Sequence, residues 1–426
     1  MVIFLISLYL KYHQHLKMHK TKTARCIPGF LLLLFFLLQV QGSFLLGQDE
    51  IRISLNAAVD SAMERSINLQ LQELKIDKTA MNTRIPPLFP DTRLNFKQGQ
   101  LYSAENGRYF EIIQPFGDPL EQVYKQKSLK SELQAVKHDL RMEKRKVAIR
   151  VKSAYITWIY TANKLTWWRE RVALHENYTG IMDKRYKSGD ITLLEKVKVS
   201  TAHAEMKSRL EELLNDFLIA GTRVKQICDL EKDYLPFTDT LKIYALPPSA
   251  DPSRRFSGQE LIAKYELEVE RRKIITRQQK AKFFPEIEIG YFSQELNNTG
   301  NFNGWQIGLG FPLYFFSPLS NVKKAMVEEK IAAKKVEKVQ HEIEEDIDKL
   351  LLELNSKYAR LKFFNKEGLA NAELLAYTAQ IQLDKEDIGF DTYIELTGIA
   401  FDTRMKYLDT LHEYNQIALQ LEFYIY

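Results

Sequence analysis

Histidines 138, 175, 203, 341 and 412 are the side chains of this sequence best suited to acid–base or metal chemistry. Each stands singly in a stretch that reads as helix, with no second histidine at i+3 or i+4 to complete a ligand pair. His203 with Glu205, and His341 with Glu345, are spaced as ordinary helix-surface residues. The string "HEIEE" at 341–345 lacks the second histidine of a zinc-hydrolase helix. There is no glycine-rich phosphate loop and no serine elbow. No catalytic, cofactor-binding or metal residue is expected, and the chain reads as something other than an enzyme.

The elements around these residues must therefore explain the protein. The formal charge of +5 comes from the first 42 residues, which hold Lys11, Lys17, Lys20, Lys22 and Arg25 and no acid; the rest carries 55 basic and 55 acidic residues. A neutral body gives no reason to expect nucleic acid. The stretch "KTKTARCIPGFLLLLFFLLQVQGS" has a basic flank, an apolar run and small residues after it, the layout of a secretory signal peptide at 1–42, with Met18 as an alternative start. Cys26 precedes the apolar run, where it does not suit lipoprotein cleavage, and removal of the signal leaves Cys228 without a disulfide partner.

Laid on itself, the chain repeats. "PDTRLNFKQGQ" from Pro90 resembles "PEIEIGYFSQE" from Pro285. "GRYFEIIQPFG" from Gly107 resembles "GWQIGLGFPLYFF" from Gly304, with Pro115 matching Pro312. Leu210, Leu214, Phe217, Gly221 and Val224 step along a helix as Tyr407, Leu411, Tyr414, Ala418 and Leu421 do, 197 residues later. The first repeat spans 51–234 and the second 259–426, joined by a proline-rich linker or equatorial segment at 235–258. Each unit reads helix, strand, strand, long helix, tight turn, long helix. The first has a helix over 55–84 with Ser54 as N-cap, strands at about 92–103 and 107–117, and a helical hairpin over 119–230. The second has a helix over 259–283, strands at 286–295 and 304–315, and a hairpin over 318–424 that Pro318 opens. Trp158, Trp167, Trp168, Tyr155 and Tyr160 are expected to pack between helices.

The strands alternate with a period of two. Leu94 and Phe96; Ile287, Ile289 and Tyr291; and Trp305, Ile307, Leu309 and Phe311 make apolar faces. Arg93, Asn95, Lys97, Glu286, Glu288, Gln306, Gly308 and Gly310 fall on the opposite ones. A sheet with one greasy and one wet side suits either the wall of a membrane barrel or a soluble sandwich packed on the helices. Four strands cannot close a barrel, so the first reading requires several chains to share one.

The order of these features resembles the TolC-type outer-membrane efflux family of Gram-negative bacteria, over essentially the whole mature chain. "RYKSGDITLLEKVKV" is similar to the first-repeat turn of that family. "DKEDIGFDTYIELTGIAFDTRMKYLDTLHEYN" is similar to its closing segment, and "YFEIIQPFGDP" looks like the second-strand segment of its heavy-metal branch. The resemblance implies a mostly α fold with β: long α-helical hairpins forming an α-barrel, and four transmembrane β-strands per chain pooled by a homotrimer into a twelve-stranded barrel. It implies a passive conduit in the bacterial outer membrane, its helices in the periplasm, meeting a periplasmic adaptor protein and an inner-membrane efflux pump, with heavy-metal cations as the exported solute. Drug efflux or type I secretion is the near alternative; a periplasmic coiled-coil scaffold is the alternative of another class.

On that resemblance the strand residues Leu94, Phe96, Ile287, Ile289, Tyr291, Trp305, Ile307, Leu309 and Phe311 face outer-membrane lipid, and Phe315, Phe316 and Pro318 mark the exit into the tunnel. The hairpin turns are the adaptor-contact tips: Tyr186, Ser188, Gly189, Asp190, Ile191 and Thr192 in the first repeat, and Glu386, Asp387, Ile388, Gly389 and Phe390 in the second. Gly189 suits the left-handed reversal, and Asp190 and Thr192 suit capping of the next helix. Asp384 and Asp387 would ring the tunnel aperture. The sequence departs from the family at Glu386, where a glycine is usual, and Gly389 is expected to take over the reversal.

Overall fold

Ser54 stands in extended backbone before the first helix, and its hydroxyl accepts a hydrogen bond from Ala57 N at 3.2 Å. A computed structural model describes residues 51–84, 89–100, 106–238, 240–246, 259–295, 300–311 and 316–425. The chain divides after Ile51, and the elements below all belong to the unit Arg52–Tyr426. The signal peptide, the "SAE" part of the loop before Gly107, most of the linker and Phe315 lie outside the described residues.

The helix expected over 55–84 is two: α1 (Leu55–Arg65) and α2 (Ile67–Arg84). Ser66 breaks it by taking an extended ψ of 116°, so its carbonyl accepts from Leu69 N and Gln70 N to start α2. Arg65 donates to the Asp229 carbonyl at 3.0 Å, tying the break to the end of a later helix. Asp118 then caps α3 (Pro119–Ser188), accepting from Leu120 N at 2.8 Å, with Pro119 in the first turn where its missing N–H costs nothing. Its 70 residues span roughly 105 Å at 1.5 Å per residue. The return helix is α4 (Leu193–Cys228).

The second unit has α5 (Gln259–Ala281), α6 (Phe316–Phe363), α7 (Leu369–Asp384) and α8 (Phe390–Ile425). The long tract expected from 318 thus starts at Phe316 and is not continuous, because a π-helical turn, Phe364–Gly368, separates α6 from α7. The inward positions explain it. Ile343, Ile347, Leu350, Leu354 and Leu361 keep a heptad-like seam, but Phe364, Gly368 and Ala372 follow in two successive steps of four. A wider turn takes up the extra residue and keeps both helices facing the same partner.

Four strands form one antiparallel sheet in the order β2-β3-β5-β6: β2 (Arg93–Gly99), β3 (Gly107–Gly117), β5 (Glu286–Glu295) and β6 (Asn301–Gly310). The two repeats therefore meet at β3 and β5. The strand expected at 304–315 is shifted: it begins at Asn301, because Asn301 to Gly304 pair with Glu295 to Phe292, and it ends at Gly310. β2 likewise stops at Gly99 rather than reaching 103.

A parallel pair, β1 (Arg52–Ile53) with β4 (Leu235–Pro236), ties the start of the unit to the linker. Tyr155 on α3 holds both, donating to the Ile53 carbonyl at 2.8 Å and accepting from Phe237 N at 3.1 Å. Asn415 on α8, fully buried, pins the next stretch: it donates to the Lys242 carbonyl and accepts from Tyr244 N, both at 2.8 Å. Around these anchors α1, α3, α4, α6 and α8 share one apolar core, with Leu408, Leu411, Leu419 and Leu421 essentially inaccessible. Each such side chain contributes about 1.5–3 kcal/mol by leaving water. Trp158 stacks on Phe217 of α4, while Trp168 meets Phe401 of α8 edge-on at 5.2 Å.

Candidate functional site

The register sorts the sheet into two chemically different faces. Leu94, Ile112, Tyr291 and Trp305 are successive cross-strand partners, so an apolar row crosses all four strands. Phe96 and Phe110 are opposite one another, as are Ile289 and Ile307, and Ile287 and Leu309, on that same face. In the single chain this face is uncovered: Leu94 is 66% exposed and Trp305 and Ile307 are each 77% exposed. Phe311 lies one residue beyond β6, so the strand does not carry it, though it is exposed too.

The other face is polar and tightly organised. Glu111 accepts from Asn95 Nδ2 at 2.9 Å, Gln306 Nε2 at 2.8 Å and the Tyr109 hydroxyl at 3.0 Å. Arg93 pairs with Glu288 at 2.5 Å. Phe292 lies across Gly304 and Glu288 across Gly308, and a Cβ on either glycine would meet that neighbour at 2.6 Å. Small residues on this face thus make room for larger cross-strand partners. Single-strand reading marked Asn95 and Gln306 as water-facing but not Glu111, two of whose three donors, Asn95 and Gln306, become visible only once register is known.

At the first hairpin turn Gly189 takes φ 84°, the left-handed conformation that ends α3, with its N–H on the Tyr186 carbonyl and Asp190 N on the Arg185 carbonyl at 2.9 Å. The Ser188 hydroxyl lies 2.7 Å from Asp190 Oδ2. Thr192 then caps α4 in a reciprocal box: Glu195 N donates to its hydroxyl at 3.3 Å and Thr192 N donates to Glu195 Oε2 at 2.7 Å. That backbone bond holds the Glu195 carboxyl below the usual range. Asp190 itself caps nothing in α4; it belongs to the reversal. Tyr186 is exposed with Lys196 over its ring at 5.0 Å, and Ile191 is half-buried. Leu193 and Leu194 just beyond it are exposed, Leu194 at 78%.

The second turn corrects the expectation for Gly389. The reversal is made by Glu386, whose φ is 61°, and Gly389 does not adopt positive φ. Asp387 N reaches back to the Gln382 carbonyl at 2.9 Å. The physical reason is position: the Schellman geometry needs its left-handed residue directly after the helix, and Gly389 comes three residues too late. Gly389 instead accepts from Tyr393 N as α8 begins. Asp384 and Asp387 are exposed, and Asp384 accepts from Gln380 Nε2 at 2.9 Å. Ile388 and Phe390 are half-buried. Phe390 stacks on Tyr178 at 5.1 Å, and the Tyr178 hydroxyl donates to Asp391 at 3.0 Å, so the two turns lie side by side. Burial and then Asp391 push the Tyr178 hydroxyl up.

Among the described residues the histidines form no ligand cluster; His412 lies 3.2 Å from the Thr157 hydroxyl and stacks on Tyr160. His138 and His175 are buried in helix packing and His341 is exposed beside Glu344. Among the described residues no cluster of three or more His, Cys, Asp or Glu could hold a metal, and no helix is long and apolar enough to cross a membrane.

No protein-family model matches the chain, and no curated protein sequence matches it. Solved structures do. A membrane protein from Pseudomonas aeruginosa is 13% identical over 88% of this chain and 90% of its own, with a TM-score of 0.75. CusC, described for the changes that accompany its folding and transmembrane channel formation, is 13% identical over 89% and 95%, with a TM-score of 0.72. The CmeC outer membrane channel of Campylobacter jejuni is 13% identical over 87% and 85%, with a TM-score of 0.73. By these descriptions the first is a membrane protein, CusC forms a transmembrane channel and CmeC is an outer membrane channel. At this identity the likeness is one of fold: the chain has the TolC-like fold of outer-membrane channels, long helical hairpins joined to one antiparallel sheet.

Proposed function

We propose that this chain is the outer-membrane subunit of a passive efflux conduit. Three copies pool their sheets into a twelve-stranded barrel, the helical hairpins continue it as a tunnel through the periplasm, and an inner-membrane pump with a periplasmic adaptor drives export. The observation that carries this reading is the sheet: its apolar face is exposed across all four strands while its polar face is hydrogen-bonded. Water penalises the first face and hydrocarbon penalises the second, so a wall between lipid and an aqueous lumen suits both. β2 and β6 are the outer strands, and pairing them between copies satisfies their free edges.

The two hairpin turns are the adaptor-contact tips in this reading, and the Asp384 and Asp387 carboxylates, repeated three times, make an aperture that favours cations. Export of heavy-metal cations is supported by that acidity and by the similarity of "YFEIIQPFGDP" to the heavy-metal branch. The amino-terminal stretch serves as the signal peptide. The test is to express the whole gene, separate inner from outer membrane, and record from the purified protein in planar bilayers. Recovery as a detergent-resistant trimer that conducts supports the proposal; recovery as a soluble monomer without conductance overturns it.

A further inference from the structure

Beneath the exposed face of the sheet, a groove of about 600 Å³ runs between the lower end of β5 and the first turns of α3. Its volume falls within the about 300–1,000 Å³ typical of sites that hold small ligands. Its chemistry is graded from one end to the other. Phe89, Val123, Ile287 and Ile289 make an apolar wall at the sheet end, whereas Lys127 and Lys130 stand at the other. Lys127 and Lys130 lie eight and eleven residues beyond Pro119, roughly 12 and 16 Å along α3, so they enter the groove from its helical side.

Two further observations say what fits. The wall is continuous with the exposed apolar face, since Ile287 and Ile289 are cross-strand partners of Leu309 and Ile307. The helical end lacks a compensating carboxylate of its own: between 119 and 130 the only acid is Glu121, which is engaged by Lys282 at 3.4 Å and by Gln278 Nε2 at 3.3 Å. Lys127 and Lys130 are exposed, and Lys127 lies over the Tyr124 ring at 5.5 Å.

We infer that this groove binds one anionic phospholipid of the periplasmic leaflet, its acyl chain against Ile287 and Ile289 and its phosphate between Lys127 and Lys130. The inference rests on the outer-membrane reading above and adds a ligand class to it. Polarity fixes the orientation. A lipid of that leaflet keeps its tail toward the strands and its headgroup toward the periplasm, the same order in which the groove runs from apolar to basic. Lysine stems reach such a level while keeping their charge hydrated.

The experiment uses the full-length protein purified in detergent, delipidated and titrated with phosphatidylglycerol or phosphatidylcholine under native mass spectrometry. Wild type is expected to retain phosphatidylglycerol at least fivefold better than phosphatidylcholine. The double variant Lys127→Gln/Lys130→Gln should lose that preference, and Val123→Trp, which fills the apolar end, should lower retention of both lipids. Both variants should fractionate and conduct as wild type. Equal retention of phosphatidylglycerol by wild type and the lysine variant overturns the site, as does a Val123→Cys trimer that crosslinks between its own copies, which would make a second chain the occupant. A conducting membrane protein without lipid preference removes only this inference, whereas a soluble, non-conducting product removes the channel reading itself.

Discussion

Gly189 and Glu386 stand 197 residues apart and occupy the same place in the two hairpins, each the left-handed residue at which an ascending helix ends. The N–H of the following aspartate closes the same bond five residues back in both turns, at 2.9 Å each. One turn thus has the residue that tolerates positive φ, and the other has a glutamate that does not. A left-handed L-residue costs about 1–2 kcal/mol. Glu386→Gly is therefore expected to relieve about 1 kcal/mol, slowing exchange of the Asp387 amide roughly fivefold. Gly189→Ala should speed exchange at Asp190 by a similar factor. Unchanged protection in both variants would contradict the strain argument.

The two faces of the sheet predict opposite tolerances. Ile307→Arg puts a charge on the exposed apolar side, where at mid-membrane it costs about 2–4 kcal/mol. Outer-membrane yield should fall several-fold. Gln306→Lys, one residue away but on the polar side near Glu111, should leave yield close to wild type. Quantitative blotting of membrane fractions decides. Equal yields for the two variants would fit a soluble packing of the sheet and count against the barrel.

Legibility divides along the same line. Long helices can be read from stripes such as Leu210 to Val224, because an amphipathic period is a local property. Alternation in the strands shows that Trp305 and Ile307 share a side. It does not show that Trp305 lies beside Tyr291, or that Asn95 and Gln306 converge on Glu111, since those contacts depend on register between separate strands. The break at Ser66 and the π turn at Phe364 are invisible for a related reason. Neither "MERSINL" nor "FFNKEGL" holds a proline, and Gly368 alone does not mark a wider turn; the deviations go with Arg65 reaching Asp229 and with seam positions that must keep facing α8. Glu386 is the clearest case: helix length sets where the reversal falls, whatever residue is there.

Burial of His175 predicts an acid-labile first hairpin. Neither of its ring nitrogens has a hydrogen-bond partner among the described residues, and burial, then Arg171 and His203, depress its pKa to about 4. A histidine depressed in the folded state contributes no penalty above the unfolded value of about 6.5. Stability is lost as pH falls from there toward the folded value, because the unfolded chain takes up the proton first. The loss should reach on the order of 1–3 kcal/mol by pH 4.5. Thermal melts at pH 7.5 and 4.5 should show a smaller acid-induced drop for His175→Phe than for wild type. Equal drops would remove His175 from the account.

Asn415 is expected to hold the linker in place. Its amide satisfies the Lys242 carbonyl and the Tyr244 N–H inside the helix packing, and leaving a buried group unpaired costs about 1–3 kcal/mol. Asn415→Leu keeps the branched shape, with a larger volume, and deletes both bonds. Residues 241–246 should then become cleavable by protease at concentrations that leave wild type intact, with the hairpins still folded by circular dichroism. Resistance equal to wild type would mean that Tyr155 and β4 suffice.

The hairpin tips give the sharpest test of partnership. Thr192 and Glu195 spend their polar groups on each other, so the first tip has little hydrogen bonding left for a partner, whereas Leu193 and Leu194 present apolar surface, 58% and 78% exposed among the described residues. If this tip meets an adaptor as proposed, recognition at this end should be hydrophobic. Leu194→Asp is expected to reduce adaptor crosslinking and resistance at least tenfold, about 1.4 kcal/mol or more, without changing trimer assembly. Thr192→Ala should instead loosen the start of α4, costing about 1 kcal/mol of local stability with a weaker effect on crosslinking. If Leu194→Asp crosslinks as wild type does while Thr192→Ala fails, the turn acts through its shape and not through its exposed leucines.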